Sequence, residues 1–164
     1  MRNCPDMPDP RAHLLRHAPD APVLYFSPVR LQDIAQEFLC DFPGLVTYAV
    51  KANPDAEVLA NLVRAGIKAF DVASPAEMHA VRAVAPDAAL HYNNPVRSPG
   101  EVAIAAEMGV RSFSVDCLSE LRKLRGTVSK DSEVSVRLAL PVSGAAYHFG
   151  DKFGVAPGPA GELL

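Results

Sequence analysis

The chain has 164 residues, of which 49% are hydrophobic and 21% are charged. This length suits one domain with a sizeable core, and the composition is typical of a globular protein. Sixteen basic and nineteen acidic side chains give a net charge of -3 and are interspersed, which argues against a nucleic-acid or membrane-surface partner. No apolar run approaches the roughly 18 residues that a membrane span needs.

The cysteines and the start of the chain point to a cytoplasmic protein. Cys4, Cys40 and Cys117 are scattered, without the spacing of a zinc site or a disulfide framework. Prolines and aspartates interrupt the beginning of the chain, and no apolar signal segment follows them. We therefore predict reduced thiols and a loosely ordered lead-in over residues 1–21.

From residue 23 onward, short β-branched or aromatic runs alternate with apolar residues at helical spacing. Ser74, Pro75 and Glu77 form a helix-start signal, and Gly66 and Gly109 stand where glycine ends a helix. The pattern predicts, in chain order, strand 23–26, helix 31–39, strand 45–50, helix 58–63, strand 67–72, helix 75–84, strand 88–92, helix 99–108, strand 110–115, helix 118–124 and strand 133–140.

The repeating strands begin near residues 45, 67, 88, 110 and 133, a period of 21 to 23 residues. So regular a repeat predicts right-handed βαβ crossovers and a parallel sheet, either open or closed into a barrel. An open, doubly wound sheet would carry a glycine-rich phosphate loop after its first strand, and none is present. We therefore predict an α/β fold, a partial (β/α)8 TIM-type barrel of about five units.

The predicted barrel portion covers residues 22–156 and is followed by a flexible tail at residues 157–164. Three more units would need about 66 further residues, so we expect a truncated or incomplete barrel. An incomplete barrel exposes an unpaired strand edge, which predicts instability or self-association of the chain alone.

Polar side chains follow each repeating strand. Because the carboxyl ends of parallel strands meet at one edge of a sheet, we expect these side chains to converge on one site. They are Lys51, Asn53, Asp71, Ser74, Asn93, Asn94, Asp116 and Arg137.

Lys51 is the candidate of greatest interest, because it emerges from the apolar run Tyr48-Ala49-Val50. Burial there would disfavour the ammonium form and lower its pKa, as a lysine that forms a Schiff base requires. The alternative interpretation is a solvated lysine at the end of a strand.

Three further candidates have structural alternatives, of which the one for Asp71 is the weaker because Ser74 already fills the capping role. Asp71 is either a site residue or a cap of the following turn, and Glu77 is either a site carboxylate or half of a capping box with Ser74. Arg137 lies between apolar residues and predicts either an anionic ligand or an ion pair with Asp116 or Asp71. His91 and His148 are interpreted as structural.

Several motifs, in order and at compatible spacing over residues 22–156, resemble the fold type III pyridoxal-phosphate enzymes. The resemblance is to the branch with ornithine, diaminopimelate and arginine decarboxylases, and closest to ornithine decarboxylase. The motifs are Tyr48-Ala49-Val50-Lys51-Ala52-Asn53, Phe70-Asp71-Val72-Ala73-Ser74 with Glu77, Tyr92-Asn93-Asn94-Pro95, Ser114-Val115-Asp116, Arg137-Leu138-Ala139 and Lys152-Phe153-Gly154.

The resemblance implies that Lys51 carries pyridoxal 5'-phosphate and that Asp71, Glu77 and Arg137 line the cofactor. It implies decarboxylation of a basic amino acid, of the ornithine type that gives a diamine for polyamine biosynthesis, by an enzyme that is a homodimer when intact. The family's ring-stacking histidine, glycine-rich phosphate-binding stretch, acidic partner of the pyridine nitrogen and carboxy-terminal β-domain fall beyond these motifs. A non-catalytic barrel fragment that binds or regulates a partner is therefore the alternative function.

Overall fold

The computed structural model describes residues 9–140, 144 and 152–163, and it confirms the predicted α/β fold. Five parallel strands lie side by side in chain order, which is the arrangement of successive units in a barrel wall. The strands are β1 (Thr47–Ala49), β2 (Ala69–Val72), β3 (Ala89–Tyr92), β4 (Ser112–Val115) and β5 (Glu133–Val136).

Helices connect the strands and pack on one side of the sheet. Ser98 and Glu101 form a complete capping box at the start of one helix, and Ser74 caps another. Gly66, at a φ of 107°, and Gly109, at 74°, end two helices in the left-handed conformation. The helices are α1 (Pro10–His17), α2 (Pro28–Asp41), α3 (Ala56–Ala65), α4 (Pro75–Val84), α5 (Pro99–Glu107), α6 (Leu118–Leu124) and α7 (Pro157–Ala160).

The two faces of the sheet differ in chemistry. The helix face carries large apolar side chains, among them Phe70, Val72, Tyr92, Phe113 and Val115, all 0% exposed. The inner face carries the alternate residues, since successive side chains of a strand point to opposite sides. One hydrogen-bonded row of the inner face reads Ala49, Asp71, His91, Ser112 and Glu133 across the five strands.

Four strands begin one or two residues later than predicted, at Thr47, Ala69, Ala89 and Ser112, and two other predicted strands differ more. Residues 23–26 form no strand, and Phe26 instead packs against the core from irregular chain. The strand predicted over 133–140 ends at Val136, and beyond it a single bridge joins Leu138 to Val155. In both places the β-branched or apolar pattern is present, but no neighbouring strand offers a continuous ladder of hydrogen bonds.

The two ends of the chain contain short helices in the described residues. Asp9 caps α1 through the Arg11 amide, and the Tyr25 hydroxyl lies 2.8 Å from His13 Nδ1, which holds α1 against the segment before α2. Ala160, in α7, is 4% exposed. The lead-in and the tail predicted as loosely ordered and flexible therefore each contain one helical turn or more.

No helix in the described residues is both long and apolar enough to cross a membrane.

Because the two faces of the sheet differ in burial, we expect substitutions on them to lower the free energy of unfolding by different amounts. Val115→Ala removes two buried methyl groups from the helix face and should lower the free energy of unfolding by about 2 kcal/mol. Ser135→Ala, at an exposed position on the neighbouring strand, should change it by less than about 0.5 kcal/mol. Urea unfolding of both variants measures the difference, and equal losses would contradict this account of the sheet.

Tyr92 makes stability depend on alkaline pH. Burial, with a smaller effect of Glu101, raises the pKa of the Tyr92 phenol to about 12, and its hydroxyl has no hydrogen-bond partner among the described residues. The unfolded chain releases this proton near pH 10, at about the usual pKa of tyrosine. The folded state therefore loses stability as the pH rises from about 10 through the folded pKa.

Tyr92→Phe should remove this pH dependence. Near pH 8 the variant should differ from the wild type by less than about 1 kcal/mol, because the deleted hydroxyl makes no hydrogen bond. Above about pH 10 the variant should become progressively more stable than the wild type. Urea unfolding at both pH values tests this, and a difference that stays constant with pH would contradict it.

Candidate functional site

Lys51 lies on a short, tightly held turn at the carboxyl end of β1. Residues Val50–Ala52 form one turn of 3-10 helix, in which the Asn53 amide donates to the Val50 carbonyl at 3.1 Å. The Tyr48 hydroxyl donates to the Asn53 carbonyl at 3.2 Å, and the Tyr48 ring meets Phe70 edge-on at 6.5 Å. Burial raises the pKa of Tyr48, and the bond to Asn53 opposes that rise. The turn is thus anchored at both ends.

The Lys51 side chain is exposed, and the predicted burial is wrong for this chain. The strand ends at Ala49, so Lys51 leaves the sheet on the turn, while Val50 takes the buried position at 0% exposed. In the described part of the chain the one ion pair is Lys123–Glu120, and Lys51 has no acidic partner. The exposure of Lys51 matches the alternative interpretation, a solvated lysine at the end of a strand, and leaves its amine accessible to a carbonyl compound.

Asp71 stands on the inner face of β2, directly beside Ala49 of β1 and His91 of β3. It is half-buried and makes no side-chain hydrogen bond to the residues described, so it does not cap the following turn. Ser74 fills that role through the Glu77 amide. The capping interpretation of Asp71 is therefore wrong, and its role in the site stays a prediction.

Glu77 is half-buried in the first turn of α4, and its carboxylate turns back toward the sheet. It accepts a hydrogen bond of 2.8 Å from the Ala73 amide, one residue before the helix cap at Ser74. The predicted capping box is therefore half formed: Ser74 accepts from Glu77, but Glu77 reaches past Ser74. This contact holds the Glu77 carboxylate against the chain just after β2.

Arg137 lies just beyond β5 and is exposed. Its guanidinium carbon sits 5.3 Å from the centre of the Phe153 ring, and neither Asp71 nor Asp116 forms an ion pair with it in the described residues. Asp116 instead accepts from the Gly154 amide at 3.2 Å. Gly154 has a φ of 112°, and a Cβ there would lie 2.8 Å from the Ala139 nitrogen, so this close approach requires glycine.

The structure brings three of the four predicted residues into neighbouring units. Lys51 follows β1, while Asp71 and Glu77 belong to β2 and the helix after it. Arg137 follows β5, three strands from β2, which is roughly 14 Å along a sheet. The two groups therefore stand toward opposite ends of the same edge of the sheet.

Two further residues lie near this site: His91, interpreted from the sequence as structural, and Arg97, to which the sequence assigned no role. His91 lies next to Asp71 on the inner face, and its Nε2 is buried with no partner among the described residues. Arg97 is 2% exposed and donates to the carbonyls of Tyr92 and Ser114, at the ends of β3 and β4. The buried arginine had one sequence signal, its position three residues after the Asn94 of a strand-end motif. His148 falls outside the described residues.

The residues of the site are compatible with pyridoxal phosphate. The exposed Lys51 amine suits the cofactor's aldehyde, and the exposed Arg137 guanidinium suits an anionic or phenolate oxygen. The Glu77 carboxylate is held in place by the Ala73 amide rather than by a cation.

The chain resembles known proteins in sequence. A family model described as the pyridoxal binding domain of pyridoxal-dependent decarboxylases matches residues 29–163. The lysine/ornithine decarboxylase of Selenomonas ruminantium is 37% identical over 120 residues, which are 73% of this chain and 30% of that protein. The ornithine decarboxylase of Panagrellus redivivus is 33% identical over 110 residues, 67% of this chain and 25% of that protein.

Solved structures agree. The crystal structure of lysine decarboxylase from Selenomonas ruminantium matches with a TM-score of 0.77 and 29% identity, covering 93% of this chain and 40% of that one. The Paramecium bursaria Chlorella virus arginine decarboxylase bound to agmatine has the same fold, with a TM-score of 0.80 at 23% identity over 93% of this chain and 42% of that one.

The chain spans between 23% and 30% of the length of the curated relatives it matches. The family resemblance and the fold read from the sequence are confirmed. The chain belongs to the pyridoxal-dependent decarboxylase family, in the part that its family model describes as the pyridoxal binding domain.

Proposed function

We propose that the protein containing this chain decarboxylates a basic amino acid with pyridoxal 5'-phosphate, and that Lys51 is the residue that carries the cofactor. The observation that supports this most strongly is the place of Lys51, on an anchored turn at the carboxyl end of β1, next to the strand that carries Asp71. Membership of the decarboxylase family supports the class of reaction.

Each site residue has a role in the proposal. Lys51 would hold the cofactor covalently through its side-chain nitrogen. Glu77 and Asp71 orient the cofactor from the β2 side, and the Arg137 guanidinium interacts with an anionic oxygen of it from the β5 side. When bound, pyridoxal phosphate draws off the electron pair that remains as the carboxylate leaves as carbon dioxide.

Ornithine is the substrate that we propose first. Relatives from Panagrellus redivivus, Neurospora crassa, Schizosaccharomyces pombe and Saccharomyces cerevisiae are ornithine decarboxylases, at 33–34% identity. The lysine/ornithine enzyme of Selenomonas ruminantium is 37% identical, and the diaminopimelate decarboxylase of Vibrio cholerae 30%. The proposal includes a diamine product, a homodimeric enzyme and a cytoplasmic location, the last supported by the free thiols of Cys40 and Cys117.

Lys51 should be the principal site of covalent labelling by pyridoxal phosphate. After incubation with the cofactor, reduction with borohydride and peptide mapping, we expect stoichiometric label on Lys51 and loss of that label in Lys51→Ala. Lys68→Ala is the matched control, because Lys68 is also exposed but precedes β2 at the opposite edge of the sheet. Label spread equally over surface lysines would overturn the proposed site and favour the non-catalytic, partner-binding function.

The substrate class has a separate test. The protein containing this chain is incubated with carboxyl-labelled ornithine, lysine, arginine or diaminopimelate. Release of labelled carbon dioxide should be greatest with ornithine and should disappear in Lys51→Ala. A higher rate with diaminopimelate would reassign the substrate while leaving Lys51 in its role. Absence of release from all four would contradict the decarboxylase activity.

A further inference from the structure

Arg97 joins the ends of two strands at the edge where the site residues stand. The side chain is 2% exposed, with one guanidinium nitrogen 3.3 Å from the Tyr92 carbonyl and another bonded to the Ser114 carbonyl. Its guanidinium carbon also lies 5.1 Å from the centre of the Tyr92 ring and 5.7 Å from that of Phe113. One rigid, planar group thus fixes the spacing of β3 and β4.

Hydrogen bonds extend from this bridge to Glu77. Directly after Tyr92, the Asn93 amide oxygen accepts from the Ser114 hydroxyl at 2.7 Å. The next residue, Asn94, donates to the Ala73 carbonyl at 3.4 Å, and the Ala73 amide donates to Glu77 at 2.8 Å. Asn94 and Glu77 therefore hold the two polar groups of the same residue, Ala73.

The other side of Arg97 is braced by α6. The Lys123 ammonium donates to the Arg97 carbonyl at 2.6 Å and pairs with Glu120 at 2.6 Å. Glu120 is 5% exposed, and its second oxygen has no partner among the residues described, as is also true of Arg97 Nε. Burying a charged group costs free energy, and a buried ion pair is therefore weak evidence of a gain in stability. We take these groups to contribute to the position of Arg97 more than to stability.

A second arginine offers a comparison at the opposite edge of the sheet. Arg82 donates to the carbonyls of Ala88, just before β3, and of Met108, just after α5, at 2.6 and 3.0 Å. It makes the same kind of bridge with the same group, but at the amino ends of the strands, away from the candidate site. Loss of either arginine should weaken the fold, and only one of them should disturb the site.

We propose that Arg97 is a positioning residue: it fixes the ends of β3 and β4 and, through Asn94 and Ala73, holds the Glu77 carboxylate where the cofactor is bound. This inference rests on the proposed function for its consequence, but the placement of Glu77 by Arg97 is a property of the chain without cofactor.

The placement is tested by hydrogen exchange of individual amides in the cofactor-free protein. Arg97→Met should raise the exchange rate of the Ala73 amide about tenfold relative to Arg82→Met, because it loosens the peptide held by Asn94 and Glu77. Arg82→Met should instead raise exchange at the Ala89 amide, which bonds to the Lys68 carbonyl at 2.9 Å. Urea unfolding of both variants measures the loss in the free energy of global unfolding. The amide exchange rates are then corrected for that loss.

The consequence is tested by titration with pyridoxal phosphate, followed by the absorbance of the Lys51 adduct. Arg97→Met should weaken binding about tenfold and Arg82→Met by less than about twofold. Arg97→Lys keeps the cation and should fold well, but lacks the planar fork, so Ala73 should remain as exchangeable as in Arg97→Met.

The outcomes separate the two proposals. Equal effects of Arg97→Met and Arg82→Met on the Ala73 amide, or full protection of that amide in Arg97→Lys, would overturn the positioning role. A wild-type chain that forms no Lys51 adduct while Ala73 responds to Arg97 would overturn the proposed function and leave the positioning of Glu77 established.

Discussion

In-register pairing of parallel strands is the constraint on which the whole candidate site depends. Three of the four neighbouring pairs begin together, as with Thr47 opposite Ala69 and Ser112 opposite Glu133, whereas β4 is shifted by two residues along β3, with Ser112 opposite His91. Residues far apart in the chain therefore arrive at one edge without any need to contact each other. Lys51, Asp71 and Arg137 share that edge although no direct bond joins them.

Strand pairing alone does not orient the side chains of the site. Turns and hydrogen bonds at the edge of the sheet orient them. Tyr48 holds the turn that carries Lys51, and Ala73 holds the Glu77 carboxylate. Arg97 ties the ends of two strands from the helix side, where a charge can reach backbone carbonyls without entering the inner face. Buried or half-buried residues thus fix the backbone that carries the exposed functional groups.

The local signals in the sequence predicted the helices well. The helices at residues 75–84 and 118–124 have the predicted bounds, and Ser74 with Pro75 accounts for the start of the first. Strand ends were less predictable, because Val50 continues the apolar pattern while its backbone already turns. The positions of Lys51, Asp71, Glu77 and Arg137 along the chain were available from the sequence, through strand ends and family motifs.

Other features depend on contacts that no local pattern encodes. The exposure of Lys51 follows from the turn after Ala49, and the burial of Arg97 follows from two carbonyls 22 residues apart in the chain, those of Tyr92 and Ser114. In the sequence, only its place three residues after Asn94 of a strand-end motif sets Arg97 apart from a solvated arginine. Such bridging groups are visible only once the strands are side by side.

The division between the two faces of the sheet has a consequence for how such a protein changes over time. Stability depends on one set of alternate residues, such as Phe70, Tyr92 and Phe113, and the row with Asp71, His91 and Glu133 belongs to the other set. Neighbouring positions of one strand thus meet different requirements: one side chain must fill the core, and the next must suit the chemistry of the site. A lineage can exchange inner-face residues, and with them its choice of ligand, without first rebuilding the core that keeps it folded.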